Sequence, residues 1–239
     1  MTDAPVGETK MTDDTLGRRS LISAVGVAAA AIALRPGTAQ AQTQAPTGGF
    51  QPARHAQDAW FDAMPGKHRT IIDSFSYTGG GEALLFANNL HVANAAGYGL
   101  NDAEVAVVVT FRHRSTAFAF NNAMWAKYAK GLSEGLNLID PKTKQMPTVN
   151  LFNTPGYGIE LPNFGLTIDS VAKVGVHFAI CQMATRRLAG QIAKAVGGMP
   201  DAIYDELVAN TVQNGHMVAA GVIAVTRAQE YGYTVLIAG

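Results

Sequence analysis

Residues 104–111, EVAVVVTF, form an apolar run with no alternation. A strand with one wet face alternates apolar and polar side chains, so a continuous run predicts a strand covered on both faces inside a parallel sheet. Parallel neighbours cannot be joined by a hairpin, and the flanking chain must therefore supply crossover helices. Residues 69–75, RTIIDSF, predict the first strand, with a tight turn at Gly79, Gly80 and Gly81. After it Leu84, Leu85, Asn88, His91, Val92 and Ala95 recur at helical spacing until Gly97 and Gly99. Ser115 or Thr116 is the expected cap of a second helix through AFNNAMWAKYAKG. Its Asn121, Met124, Trp125 and Tyr128 fall on stripes suited to packing on the sheet or on a neighbouring subunit. GVHFAIC (175–181) predicts the third strand and MATRRLAGQIAKAV the third helix, closed by Gly197 and Gly198. HMVA, a helix over GVIAVTRAQEYG and a strand YTVLIA complete the chain. The expected fold class is α/β: a three-layer α/β/α sandwich around a mainly parallel five-stranded sheet.

The N-terminal part reads differently. Arg18 and Arg19 precede an apolar run of 14 residues, Leu21 to Leu34, and then Ala39-Gln40-Ala41, a small-x-small cleavage pattern. A spanning helix needs about 20 residues, which favours a cleaved signal over an anchor. The paired arginines before a weakly hydrophobic, Ala-rich core resemble a twin-arginine export signal, although Leu21-Ile22 stands where Phe-Leu is usual; an ordinary signal peptide is the other reading. Either way residues 1–41 are expected to be a signal peptide, 42–66 a linker with a short helix near Trp60 and Phe61, and 67–239 the folded domain. Export places the mature chain in the periplasm, with no membrane association after cleavage. The 18 Lys plus Arg balance the 18 Asp plus Glu, so overall charge gives no reason to expect a nucleic acid partner. With one cysteine, Cys181, any disulfide or sulfur transfer must involve a second molecule.

Ligands of open parallel sheets meet the protein beyond the carboxyl ends of the strands. Three segments are expected there: Thr78 to Gly81, then Arg112, His113, Arg114 and Ser115, then Cys181 at a helix start. Cys181 is the candidate catalytic thiol, and Arg112, His113 and Arg114 are candidate anion-binding groups. The competing readings are a cysteine that only packs and arginines that only solvate a strand end. TGGGEA lacks the GK[ST] of a P-loop and the spacing of GxGxxG, there is no GxSxG elbow, and no His/Cys/Asp cluster has metal spacing; neither a metal nor a cofactor is called for. His177 and Cys181 lie roughly 13 Å apart along one strand, too far to share an ion. His91, His113 and His216 look scattered. Residues 132–163 are long for an α/β connection and rich in Pro and Gly, fitting either a functional lid or a tolerated insertion.

The order of strand, Cys181, amphipathic helix and HMVAAGVIAVTRAQEYGYTVLIAG resembles the DsrE/DsrF-like proteins, which include sulfur-relay subunits related to TusD. The likeness covers roughly residues 68–239 apart from the loop at 132–163, and Gly221-Val222, Gln229 and Gly232-Tyr233 carry most of it. The resemblance implies a parallel five-stranded α/β/α fold, a tendency to oligomerise as trimers or hexamers, and a persulfide on the cysteine that follows the strand, here Cys181. It also implies a thiol or persulfide partner protein. Export and the extra loop depart from the relay members, which are cytoplasmic, and many members of the family lack the relay activity. Two functions follow as expectations: an exported sulfane-sulfur carrier acting through Cys181, or a non-catalytic periplasmic protein that binds a small anion or builds an oligomer.

Overall fold

The structure is a computed structural model that describes residue 49 and residues 51–239; the expected signal over 1–41 lies outside the described residues. Five strands form one sheet: β1 His68–Ser74, β2 Val105–Phe111, β3 His177–Cys181, β4 Gly215–Val218 and β5 Thr234–Ala238. Their order is β4-β3-β2-β1-β5, and every pairing is parallel. The fold is thus the α/β sandwich that the sequence predicts, with β2 at its centre and buried at all seven positions.

The helices are α1 Trp60–Ala63, α2 Tyr77–Tyr98, α3 Asn122–Ser133, α4 Ile168–Lys173, α5 Gln182–Val196, α6 Pro200–Ala209 and α7 Gly221–Glu230. One face of the sheet, through Ile72, Val107, Val109, Phe111, Phe178 and Ile180, packs on α2 to α6. The other, through Ile71, Ala106, Val108, Ala179 and Val218, packs on α7 and on Phe61 of α1. Right-handed crossovers explain this division. From β1 to β4 each strand is laid on the same side of the last, so their connections share a face. The step from β4 to β5 runs back across the whole sheet and must use the other.

Several expectations need correction. Gly79, Gly80 and Gly81 are not a tight turn but the first turn of the 22-residue α2, capped by Ser76, whose Oγ accepts from Gly79 N at 2.8 Å. They are small because three neighbours press on that turn. A Cβ on Gly79 would strike Ala238 O, one on Gly80 would lie 3.3 Å from the Phe152 ring, and one on Gly81 would lie 2.6 Å from Pro162 Cγ. α3 starts later than expected: Asn121 is its cap, accepting from Met124 N at 3.2 Å, while Ser115 to Ala119 form a buried 3-10 turn. Helix α6, with Pro200 in its first turn, was not expected at all.

Residues 132–163 are anchored to the core at two places. Fully buried Asn150 donates its side-chain amide to Phe118 O and Phe120 O at 2.8 and 2.9 Å, and Phe152 packs on Phe118 with ring centres 4.1 Å apart. Asp140 accepts from Lys142 N at 2.8 Å and from Tyr157 OH at 2.9 Å. Burial pushes its pKa up, but these hydrogen bonds outweigh that and hold it below the ordinary carboxylate value.

The crowding at α2 gives one substitution opposite signs at its two ends. Gly81→Ala is expected to destabilise by about 1–3 kcal/mol, since a methyl must displace Pro162 and the backbone at Asn163. Gly97→Ala meets nothing within 4 Å and is expected to stabilise by up to about 1 kcal/mol through helix propensity. Urea unfolding midpoints of the two variants check this; a Gly81→Ala protein as stable as the parent would contradict the packing described.

Candidate functional site

The connections leaving β3 and β4 diverge: α5 departs from Cys181 to one face and α7 from Ala220 to the other. In an open α/β sheet such a divergence opens a crevice at the carboxyl ends of the two strands. Cys181 stands at that point, paired in register with Val218. It is the N-cap of α5, and its Sγ accepts from Ala184 N at 3.4 Å. Negative charge on this sulfur therefore meets a helix N–H and the positive end of a 15-residue helix. Its residual exposure is 7%, so access is narrow.

Arg112 follows β2 where the register continues to Cys181, and its stem packs under the start of α7. A Cβ on Gly221 would come within 2.5 Å of Arg112 Cβ, which is why the first residue of α7 is glycine. The guanidinium is not free. Its Nε and Nη2 each donate at 2.7 Å to the two carboxylate oxygens of Asp73, which also accepts from Thr110 Oγ1 at 2.9 Å. Hydrogen bonding to Asp73 raises Arg112 above its ordinary value, with a smaller contribution from the nearby Cys181 sulfur. Arg112 is therefore not the available cation that its place after β2 predicts; Asp73, not among the expected site residues, holds it. One signal was there: an acid facing inward in TIIDSF must find a partner or stay uncharged.

His113 and Arg114 are not brought together with Arg112. A turn at Arg112–Ser115 separates them, closed by Ser115 Oγ, which accepts from Arg112 N at 3.1 Å and donates to Ser74 O at 3.0 Å. His113 adopts φ 55° in that turn, a conformation histidine tolerates better than most residues. Both side chains line a cavity of ≈150 Å³ against Ala184, Arg187 and Leu188 of α5. Glu134, Gly135 and Leu136 from the start of the long connection close it. Cys181 does not line this cavity, but Ala184, its hydrogen-bond donor, does. Gly79, Gly80 and Gly81 are walled off from ligands by Ala238, Phe152 and Pro162, whereas Thr78 is exposed.

No family model, curated protein or solved structure matches the chain.

The histidines are less scattered than they look in sequence. β4 lies beside β3 with Ala179 opposite His216, and this brings His177 Nδ1 to 2.8 Å from His216 Nε2. Trp60 stacks on His216 with ring centres 4.1 Å apart and planes 3° apart. His91 lies on α2, which packs on the other face of the sheet, with Nδ1 3.0 Å from Asp102. Among the described residues no three His, Cys, Asp or Glu side chains converge as a metal site would require.

Burial lowers the pKa of both His177 and His216; for His216 the charge of His177 adds to this and takes it to about 4. The folded chain then binds these protons more weakly than the unfolded chain, where histidine titrates near 6.5. The stability from the neutral pair is present above about pH 6.5 and is lost as pH falls toward 4. His216→Gln is expected to flatten this dependence between pH 7 and pH 5, measured by urea midpoints at each pH; an equal slope in parent and variant would contradict the pairing.

Proposed function

We propose that the chain is an exported DsrE-like sulfur-handling protein, in which Cys181 accepts a sulfane sulfur and passes it to a partner's thiol. The observation that carries the reading is the position of Cys181: it caps α5 at the point where the β3 and β4 connections part, with its Sγ held by Ala184 N. In the forward step the Cys181 thiolate attacks the outer sulfur of a donor persulfide. A new S–S bond forms on Cys181, the donor's S–S bond breaks, and the donor leaves as a thiolate. The product is a Cys181 persulfide whose terminal sulfur is negatively charged when deprotonated, and the donor N–H of α5 and the nearby Arg112 favour that charge. Transfer onward repeats the exchange with the partner's thiol as acceptor, since the chain holds no second cysteine. The Asp73 carboxylate fixes Arg112 beside the crevice and limits its reach, so Arg112 acts through its field and not by direct contact.

A second reading, non-catalytic binding of a small anion, is favoured by a separate observation. The cavity bounded by His113, Arg114 and residues 134–136 exists without any contribution from the thiol.

Incubating the mature protein with a polysulfide donor and measuring intact mass tests the first reading. One added sulfur is expected on the parent and none on Cys181→Ala; a parent that takes up no sulfur at neutral pH sinks the carrier role. Gly221→Ala, which pushes Arg112 out of place, is expected to slow uptake without abolishing it.

A further inference from the structure

Arg114 and Arg187 reach the cavity beside α5 from two different elements. Among the described residues neither Arg114 nor Arg187 has a carboxylate within ion-pair distance, whereas the adjacent Arg186 is occupied, 3.9 Å from Asp201 and stacked over the Tyr204 ring. Arg114 and Arg187 share the cavity with one acid, Glu134, and with His113. The remaining wall is largely apolar, supplied by Ala117, Leu132, Leu136 and Leu188. Both arginines are exposed at the mouth of this cavity, and with one acid beside them they leave it an excess of one positive charge that favours an anion.

We infer that this cavity binds a short organic oxyanion of single negative charge, with Arg114 and Arg187 on its head group and its apolar body against Leu132, Leu136 and Leu188. Three features set the class. Guanidinium forks suit a sulfonate, thiosulfonate or carboxylate head, to which they donate in pairs. Two arginines against one glutamate leave a formal charge of one, which matches a monoanion better than the dianion sulfate. The leucines disfavour an ion that is hydrated all round and favour a few methylene groups. The cavity is far larger than a single ordered water requires.

The site rests on the anion-binding reading and needs no reactivity of Cys181. It also has a bearing on the thiol, since the Ala184 residue that lines the cavity supplies the N–H that holds Sγ.

Isothermal titration calorimetry of the full chain with 1-propanesulfonate, with propanoate and with inorganic sulfate tests the inference. Saturable binding of propanesulfonate or propanoate is expected in the parent and equally in Cys181→Ala. Arg187→Gln is expected to weaken it by about tenfold or more, the loss of one charge-assisted pair of hydrogen bonds, and Arg186→Gln to leave it unchanged. No binding of either organic anion, equal effects of Arg187→Gln and Arg186→Gln, or sulfate binding more tightly than propanesulfonate would each overturn it. Loss of sulfur uptake with anion binding intact would remove the carrier reading and leave this site standing; the reverse result would do the opposite.

Discussion

The return of the chain from β4 to β5, across the full width of the sheet, is the constraint on which the rest of the molecule depends. β5 pairs with β1, four strands from β4, and the connection must pass over the face left open by the earlier crossovers. That makes α7 the one long helix on its side among the described residues, supported there by Phe61 and Met64 of the N-terminal segment. It also parts the connections after β3 and β4. Topology places Cys181 at that divergence, before any side chain is considered.

Charge at the crevice follows from the same crossing. The start of α7 must pass over the end of β2, and Gly221 lets it lie against the Arg112 stem. An arginine so covered cannot be left unpaired, because a partly buried charge without a partner costs several kcal/mol, on the order of 3–5 for a buried pair that is broken. Asp73 answers this from β1, two oxygens to two nitrogens, and Thr110 fixes the carboxylate from the strand between Asp73 and β3. The pair is nearly neutral from outside. Local sulfur charge is then met chiefly by the N–H groups of α5, with Arg112 as a weaker second influence.

The sheet was legible because its signals are local. EVAVVVTF, GVHFAIC and YTVLIA declare strands by composition, and the lengths between them leave room only for crossovers. Glycines misled because their reason is tertiary: Gly79 to Gly81 look like a turn, yet what requires them is Ala238, Phe152 and Pro162 from distant parts of the chain. Asn121 won over Ser115 as a helix cap because the hydroxyl of Ser115 is taken by the turn that follows β2, which it ties to the end of β1 through Ser74 O. The site was half legible. Strand ends could be named from sequence, but on which side of the sheet each neighbour of Arg112 falls, and that Arg187 joins Arg114 from another helix, depends on how the turn at His113 reverses the chain. The pairing of His177 with His216 likewise needed the order β4-β3, which no local pattern reveals.

The central claim is that the Cys181 sulfur meets its reactant in the folded protein, through the crevice between β3 and β4. Its alkylation by iodoacetamide, followed by mass spectrometry across a series of low urea concentrations, tests this most directly. A native-state route predicts a rate independent of urea well below the unfolding transition, and slower with a bulky maleimide than with iodoacetamide relative to the unfolded chain. A rate that rises with urea in step with global unfolding from the lowest concentrations would mean that the thiol reacts only when the fold is lost, and would contradict the account.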